Sequence, residues 1–376
     1  MDQATPGCWR APGVLGPPRG VTVVVVDASQ PQRRAVRQAL EAEGEFRVVG
    51  EARDGREAVA LVARLRPAVV LLELDLPVLS GLEVIEHVMA GCPTPILVHT
   101  APNASTTQGD QAAAALACGA VDVLDRAAEG ESPDGARLRE RLRLVARMRV
   151  ITHPRGRLRA QGLLPAPRPA PPRAPRPPGG TPSRELLVLG ASTGGPQALL
   201  TVLQGLPGDL EQAVLVVQHM SSSFVPGLAD WLDSLVPLRV VVGESGRRLA
   251  PGTVTVAPGG GNLLVQDDRL RVLCTPPLPG QFHVPGIDQT LLSVAAALGP
   301  RAVGVVLTGM GRDGAVGLRA MRERGAATLG QDEATSAVYG MPAAAHAAGA
   351  VELQLPVGEI APALVTLLRR TPAGAG

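Results

Sequence analysis

The sequence contains no lysine, and only four of its 376 residues are cysteine. The cysteines have neither metal-ligand nor redox spacing, so we expect no thiolate metal site and no redox pair. All 36 basic side chains other than histidine are arginine, and the formal net charge is +2. So small a charge argues against bulk attraction to nucleic acid. The arginine bias, with abundant Ala, Gly and Pro, indicates nucleotide composition rather than function.

Long apolar runs are also missing. The longest, such as 23–26 and 303–307, have the length of a strand, so we predict no membrane insertion. Residues 1–20 contain no secretory signal pattern and are predicted to be disordered. These absences favour a cytoplasmic protein. A chain of this length has room for about two domains.

Residues 21–150 alternate between predicted strands and predicted helices. We expect strands at 21–26, 46–50, 68–72, 95–99 and 121–124, and helices near 31–43, 55–66, 80–91, 108–118 and 134–149. This pattern predicts a doubly wound parallel α/β sheet of flavodoxin-like order. The functional edge of such a sheet lies at the carboxyl ends of its strands. Four polar residues fall there: Asp27, Glu73, Thr100 and Arg126.

These four positions resemble the active site of the response-regulator receiver family. In that family the first strand ends in two acidic residues that hold magnesium, and the third ends in an aspartate that accepts phosphate. The fourth ends in Thr or Ser, and a lysine follows the fifth. Here Pro77 and Gly81 set the register, which puts Glu73 rather than Asp75 at the phosphoacceptor position.

Three departures from the receiver pattern meet at this one site, because Ala28 replaces the second magnesium acid, Glu73 the acceptor and Arg126 the lysine. Loss of one carboxylate weakens an octahedral Mg²⁺ site, and the longer Glu73 side chain spoils in-line attack geometry. We therefore predict a receiver that does not accept phosphate normally and binds magnesium poorly. Two interpretations stay open. Glu73 permanently imitates a phosphorylated charge by reaching Thr100 or Arg126, or a decayed receiver is kept for its fold and contacts.

Residues 151–183 interrupt the alternation with a run rich in Pro and Arg. Proline removes backbone donors and fixes φ, so we predict a semi-rigid, extended linker. Its arginines are not interleaved with aromatic side chains, which argues further against nucleic-acid binding.

Residues 184–376 return to the α/β alternation and predict a second doubly wound, mostly parallel sheet. Strands are expected at 186–190, 213–218, 239–242, 253–257, 262–266, 270–273, 303–308 and 326–330, and helices near 195–204, 223–235, 287–298, 314–323 and 357–368. A hairpin-like insertion is expected around 251–275.

A glycine-rich turn joins the first of these strands to the first of these helices. Within it, Ser192 occupies the pattern Gly190-x-Ser192-x-Gly194, which is a nucleophile-elbow motif in its required strand-turn-helix context. Such a turn also serves to cradle phosphate at a helix N-terminus. The dinucleotide-binding spacing Gly-x-Gly-x-x-Gly is missing, however.

Two further strand ends provide polar groups, since His219 follows 213–218 and Asp313 follows 303–308. Each has a simpler interpretation by itself, as a strand-end histidine or as a cap for the next helix. Together with Ser192 they would deliver a serine, a histidine and an aspartate to one edge of one sheet. That is the arrangement a catalytic triad requires.

Five segments of this half resemble the catalytic domain of the chemotactic protein-glutamate methylesterase and protein-glutamine glutaminase family: GASTGGPQAL, QHM followed by Phe224, APGG, LTGMGRDGAVGL and QDEATSAVYGMP. The resemblance implies a serine hydrolase that removes methyl esters from glutamyl side chains, and deamidates glutamine, on methyl-accepting chemotaxis receptors. It implies Ser192 as nucleophile, His219 as general base and Asp313 as the carboxylate that orients it. Thr193 and the backbone N–H of Met310 would lie where the oxyanion forms.

The same resemblance implies no metal or cofactor for catalysis. The implied partners are the cytoplasmic domains of methylated chemoreceptors and a chemotaxis histidine kinase. In that family the unphosphorylated receiver covers the active-site edge and phosphorylation releases it. With a degenerate receiver, we expect control to be constitutive or to run through a partner.

Two residues depart from the pattern of this family. Where the family often has His and Arg, this chain has Asn262 and Ala343, so receptor contacts or optimum activity are expected to differ. The alternative function is a non-catalytic response-regulator scaffold that uses the same fold for binding.

Overall fold

The computed structural model describes residues 20–100, 111–125 except Ala113 and Ala117, 135–148, 184–281 and 283–369. The predicted disordered residues 1–19 and the predicted linker 151–183 lie outside the described residues, as does Arg126. Among the described residues, no helix combines the length and the apolar character needed to cross a membrane.

The first domain is a five-stranded parallel sheet with strand order β2-β1-β3-β4-β5. This is the flavodoxin-like order predicted from the sequence, and the fold class is confirmed. Its described elements are β1 (Val21–Val26), α1 (Gln30–Glu41), β2 (Phe46–Ala52), α2 (Gly55–Leu65), β3 (Val69–Leu72), α3 (Gly81–Gly91), β4 (Ile96–Thr100), β5 (Asp122–Asp125) and α4 (Gly135–Val145).

Local sequence accounts for the positions of these elements. The central strand β3 reads VVLL and is buried along its whole length, as expected for a strand covered by helices on both faces. Helix α2 begins after Asp54, whose side chain accepts the N–H of Glu57, and α3 begins with a capping box formed by Ser80 and Glu83. Because β1 and β3 are parallel, the loops that carry Asp27 and Glu73 leave the sheet at the same edge.

The second domain is built on a seven-stranded parallel sheet with strand order β14-β13-β12-β6-β7-β9-β8. Its elements are β6 (Leu186–Ala191), α5 (Gly195–Gln204), β7 (Ala213–Gln218), α6 (Val225–Leu235), β8 (Arg239–Val242), β9 (Thr253–Val256), β10 (Asn262–Val265), β11 (Val272–Thr275), α7 (Ile287–Leu298), β12 (Ala302–Val306), α8 (Ala315–Glu323), β13 (Ala327–Gln331), α9 (Met341–Ala347), β14 (Leu353–Leu355) and α10 (Val357–Arg369). A second doubly wound domain was predicted, and it is confirmed.

The predicted hairpin-like insertion around 251–275 is wrong in extent. Strand β9 belongs to the main sheet and pairs in parallel with both β7 and β8, so the antiparallel hairpin consists only of β10 and β11. Strand β9 crosses back to the sheet after β8, and local periodicity contains no information about that long-range pairing. The sequence also gave no expectation of α9 and β14, which are only seven and three residues long.

The core of the second domain lies on both faces of β6. Leu187 and Leu189 pack into one hydrophobic cluster, whereas Leu186 and Val188 pack into the other. This division follows from the two-residue period of a strand. All four side chains are fully buried, so the strand that precedes the glycine-rich turn is held rigidly from both sides.

Close packing of α7 against α8 depends on Gly317. A Cβ added there would lie 2.5 Å from Leu291 Cβ and 2.9 Å from the Asp288 carbonyl oxygen. We expect Gly317→Ala to lower the free energy of unfolding by about 1–3 kcal/mol, because the two helices must separate. Urea unfolding of the full chain measures this change.

Gly358→Ala in α10 is the matched control, since its added Cβ meets nothing within 4 Å. We expect it to be neutral or to stabilise the chain by up to about 1 kcal/mol through helix propensity. Equal unfolding free energies for the two variants would contradict the packing interpretation.

Candidate active site

Ser192 is the first residue after β6, at the point where the chain turns into α5. Gly194 completes the turn with a φ of 74°, and a Cβ there would lie 2.4 Å from Ala337 Cβ. The positive φ and the lack of room for a Cβ therefore both require glycine at position 194. The Ser192 N–H donates to the carbonyl oxygen of Thr308 at 3.0 Å, which ties the turn to the end of β12. Ser192 is buried, and it lines a cavity of about 700 Å³.

Gln218 connects the backbones of Ser192 and His219. The last pair in the β6–β7 register is Ala191 with Gln218, so Ser192 and His219 leave adjacent strands at the same level. The buried amide Nε2 of Gln218 donates to the carbonyl oxygen of Ser192 at 2.9 Å and to that of His219 at 3.1 Å. One side chain thus fixes the spacing between the two residues that follow these strands.

His219 and Asp313 form a direct pair, with 2.7 Å between His219 Nε2 and Asp313 Oδ2. Asp313 also accepts the N–H groups of Ile287, Asp288 and Gly314 at 2.8, 2.8 and 3.0 Å. The first two belong to the opening turn of α7, where the helix dipole stabilises an anion. Burial would raise the pKa of Asp313, but the hydrogen bond and charge of His219, with these N–H groups, lower it below its usual value. Asp313 is therefore held as a carboxylate.

The ring of His219 is oriented by this pair. A carboxylate can only accept, so Nε2 carries the proton and Nδ1 carries the free lone pair. Nδ1 is buried and has no hydrogen-bond partner among the described residues. No hydrogen bond joins it to Ser192 Oγ in that part of the chain, a contact that often forms only when substrate is bound. The structure thus brings His219 and Asp313 together and puts Ser192 on the adjacent strand end.

The two predicted oxyanion groups lie beside the same turn. Met310 lines the cavity together with Ser192, and its N–H makes no hydrogen bond within the described residues. The segment that carries Met310 comes close to Ser192 because Gly309 has no side chain. A Cβ on Gly309 would lie only 2.7 Å from Ser192 Cβ. Thr193 is buried, and its carbonyl oxygen accepts the hydroxyl of Thr308 at 3.0 Å. The assignment of both as oxyanion groups stays a prediction.

Two residues next to the His219–Asp313 pair were not predicted from the sequence. The ring of His283 stacks on that of His219, with 4.7 Å between centroids and 6° between planes. Asp288 lies beside Asp313, and its Oδ1 accepts the Gly317 N–H at 2.7 Å. His283 follows no predicted strand, so nothing in the sequence pattern singled it out.

The receiver-like domain contacts the turn that holds Ser192. Arg141 of α4 donates to Asp122 Oδ2 at 3.1 Å and also to the hydroxyl of Thr193. Gln197 at the start of α5 donates to the carbonyl oxygen of Leu116 at 2.8 Å. The cavity beside Ser192 is accordingly lined on one side by residues of α4. The family resemblance implied a contact of this kind, but the sequence did not indicate which residues make it.

The receiver site brings together three of its four predicted residues, and Arg126 lies outside the described part. Asp27, Glu73 and Thr100 are buried at the carboxyl ends of β1, β3 and β4. Glu73 Oε1 accepts the N–H of Leu74 at 2.7 Å, while Asp27 Oδ1 accepts that of Ser29 at 2.7 Å. One oxygen of each carboxylate is therefore occupied by a backbone donor.

No group of three or more His, Cys, Asp or Glu side chains in the described ranges is arranged to hold a metal ion. The predicted site residues at the receiver edge provide one aspartate and one glutamate carboxylate, because Ala28 has no side-chain ligand atom. Magnesium needs several oxygen ligands in strict octahedral geometry. With Ala28 in place of one expected acid, poor magnesium binding at this site stays a prediction.

We expect the ionisation of Asp288 to make the free energy of unfolding depend on pH. Burial raises its pKa to about 6, and the neighbouring Asp313 carboxylate adds to the rise against the opposing effect of the Gly317 N–H. A raised pKa favours the protonated form in the folded state, so ionisation removes stability as the pH rises through about 6. We expect Asp288→Asn to raise the melting temperature relative to wild type at pH 8 but to leave it nearly unchanged at pH 4.

Thermal unfolding of both chains at the two pH values measures this difference. The matched control is Asp209→Asn at an exposed position, which should give no gain at either pH. An Asp288→Asn gain of the same size at pH 4 and pH 8 would contradict the assignment.

Comparison with known proteins matches both halves of the chain. The family model "CheB methylesterase" matches residues 187–364, and "Response regulator receiver domain" matches residues 23–131. Protein-glutamate methylesterase/protein-glutamine glutaminase 2 of Anaeromyxobacter dehalogenans is 41% identical over 358 residues, which covers 95% of this chain and 99% of the relative.

A second relative and one solved structure are similar. Protein-glutamate methylesterase/protein-glutamine glutaminase 3 of Paramagnetospirillum magneticum is 39% identical over 352 residues, covering 93% of this chain and 97% of the relative. The crystal structure of the Thermotoga maritima CheB methylesterase catalytic domain is 32% identical with a TM-score of 0.47, covering 49% of this chain and 98% of that one. Because both curated relatives are matched over almost their whole length, the chain belongs to the protein-glutamate methylesterase/protein-glutamine glutaminase family.

Proposed function

We propose that the chain hydrolyses glutamyl methyl esters, and deamidates glutamine side chains, on the cytoplasmic domains of methylated chemoreceptors. The relatives at 41% and 39% identity carry both activities in their names. The observation that supports the proposal most is the hydrogen-bonded pair of His219 and Asp313 at the end of the strand adjacent to Ser192. A chemotaxis histidine kinase is the second proposed partner, because the chain contains a receiver domain.

The proposed chemistry is acyl transfer to Ser192. Its Oγ attacks the side-chain carbonyl of the glutamyl ester while Nδ1 of His219 takes the hydroxyl proton. The resulting imidazolium is stabilised by Asp313 and returns the proton to methanol as the ester bond breaks. Water then attacks the acyl-enzyme by the same route and releases glutamate. A glutamine side chain follows the same path with ammonia leaving, and neither path needs a metal or cofactor.

Negative charge develops on the carbonyl oxygen in each tetrahedral intermediate, and preorganised N–H or O–H donors stabilise such a charge. The N–H of Met310 and the hydroxyl of Thr193 are the proposed donors. Support comes from the cavity that Met310 shares with Ser192 and from its N–H, which makes no hydrogen bond among the described residues. Thr193 directly follows Ser192 in the chain. In the contact described above, the Thr193 hydroxyl accepts a hydrogen bond from Arg141. A hydroxyl that accepts still has its O–H to donate, so this contact by itself leaves the proposed role open to Thr193.

Removal of the proposed nucleophile gives the direct test of activity. We expect Ser192→Ala to reduce methanol release from methylated receptor membranes by at least about a thousandfold, because the acyl-enzyme cannot form. Ser234→Ala is the matched control. Its hydroxyl donates to the Trp231 carbonyl oxygen in α6, far along the chain from the turn, and activity should stay within about twofold of wild type.

A scaffold without catalysis predicts a different outcome. Wild type would then release no more methanol than Ser192→Ala, while both would still bind receptor. That result would replace the esterase proposal with the binding alternative.

We further propose that control of this enzyme does not use receiver phosphorylation. The contact of Arg141 with Thr193 supports a receiver that limits access to Ser192. The site that would release it has Ala28 and Glu73 in place of the expected acids, and a Glu73 oxygen is engaged by the Leu74 N–H. Release by a bound partner, or a constant basal activity, fits these residues better.

The expected outcome with a small phosphodonor and Mg²⁺ is no phosphoryl incorporation and no change in methanol release by the full chain. The double variant Ala28→Asp with Glu73→Asp restores both acids and is the positive control, which we expect to take up label. Stoichiometric labelling of wild type at Glu73 or Asp75, with a rise in activity, would contradict this proposal.

A further inference from the structure

Two side-chain amides, Asn262 and Gln281, form a reciprocal pair close to the candidate active site. Asn262 Nδ2 donates to Gln281 Oε1 at 2.9 Å, and Gln281 Nε2 donates to Asn262 Oδ1 at 2.8 Å. Asn262 begins β10 and is 1% exposed. Gln281 lies after β11, in the irregular segment that leads into α7. The pair thus joins a fixed strand to a segment without regular structure.

The pair also holds the backbone at His283 and at Gly286. Gln281 Nε2 donates to the carbonyl oxygen of His283 at 2.6 Å, and the Gly286 N–H donates to Asn262 Oδ1 at 2.7 Å. His283 is therefore fixed through its own carbonyl and through a residue three positions further on. Amide networks of this kind are rigid when every member is satisfied.

The space around the pair is closely fitted. A Cβ added to Gly286 would lie 2.6 Å from Gln281 Nε2 and 3.1 Å from Asn262 Oδ1. Gly286 has φ −80° and ψ 126°, a conformation open to any residue. Glycine is thus needed here for room beside the amides rather than for its backbone freedom.

His283 in turn lies flat on His219, with 4.7 Å between ring centroids and 6° between planes. Asp313 holds the Nε2 end of the His219 ring at 2.7 Å, whereas Nδ1 has no partner among the described residues. The hydrogen bond to Asp313 fixes the Nε2 end of the ring but does not by itself fix the tilt of the ring plane. A ring stacked on that plane opposes such a tilt.

We propose that the Asn262–Gln281 amide pair is a positioning element, which keeps His283 stacked on His219 and thereby fixes the plane of the imidazole that serves Ser192. This inference rests on the proposed function for its kinetic consequence but not for its structural one. Neither amide touches the reacting atoms. They act through His283.

The charges around His283 are consistent with a neutral stacking partner. Burial lowers its pKa below the usual value, and His219 and Arg141 lower it further, whereas Asp313 and Glu140 oppose the shift. A neutral ring stacks on His219 without placing a cation against the proposed base.

The first test compares steady-state kinetics of full-length variants on methylated receptor. We expect Asn262→Ala and Gln281→Ala each to lower kcat about tenfold with KM within about twofold, because the base is misaligned while substrate contacts persist. The exchanged pair Asn262→Gln with Gln281→Asn should recover most of the loss. Gly286→Ala should lower kcat like the single variants.

Two controls separate positioning from general stability. Gln204→Ala removes an exposed amide on α5 that donates to the Leu235 carbonyl oxygen, and kcat should not change. His283→Phe keeps a flat ring and should retain more activity than His283→Ala. If the Asn262 and Gln281 variants lower the melting temperature but leave kcat at the wild-type value, the positioning role is overturned.

An activity-independent measurement decides the inference even if the esterase proposal fails. The chain has only six histidines, so selective ¹⁵N labelling resolves the His219 ring nitrogens, assigned by loss in His219→Gln. We expect wild type to show one tautomer with the proton on Nε2, and Gln281→Ala to show averaged or broadened ring signals. Unchanged His219 signals in Gln281→Ala overturn the inference, whereas wild type without methanol release overturns only the proposed function.

Discussion

The hydrogen bond between His219 and Asp313 is the interaction on which the rest of the site depends. It commits the proton to Nε2 and leaves Nδ1 as the basic atom. A buried carboxylate would be costly without partners, and here the opening turn of α7 supplies N–H groups to both of its oxygens. The site therefore requires that β7, α7 and the segment after β12 meet at one place. The close packing of α7 against α8 at Gly317 helps to hold the opening turn of α7 next to Asp313.

Parallel sheets favour this arrangement because all their strands end at the same edge. In the second domain β12, β6 and β7 are neighbours, and their carboxyl ends deliver Asp313, Ser192 and His219 side by side. In the first domain, too, the strands end at one edge, and Asp27, Glu73 and Thr100 lie there together. The two edges differ in composition, since one carries a serine, a histidine and an aspartate, whereas the other has Ala28 and Glu73 at positions where the receiver pattern has aspartate or another acid. The contact of Arg141 with Thr193 joins the receiver domain physically to the hydrolase turn.

Much of the architecture was predictable because its signals are local. Short apolar runs identified the strands that the structure places at the centre of each sheet, and the glycine pattern around Ser192 identified the turn. Prediction failed where pairing partners lie far apart in sequence. Strand β9 has the same composition whether it joins a hairpin or the main sheet, and only the parallel register with Val214 decides between them. The short elements α9 and β14 are held by tertiary contacts rather than by propensity.

The sequence by itself determined the two α/β domains, the residue types at the strand ends and the family resemblance, because each depends on spacing along the chain. Tertiary structure alone decided which groups surround those residues. It placed His283 on His219, Asp288 beside Asp313, the amide of Gln218 between two backbones, and Arg141 against Thr193. The Gln218–Ser192 hydrogen bond joins residues 26 apart and the Arg141–Thr193 contact joins residues 52 apart, and no local period connects such distant positions. Only the folded packing of strands and helices brings them within hydrogen-bond or stacking distance.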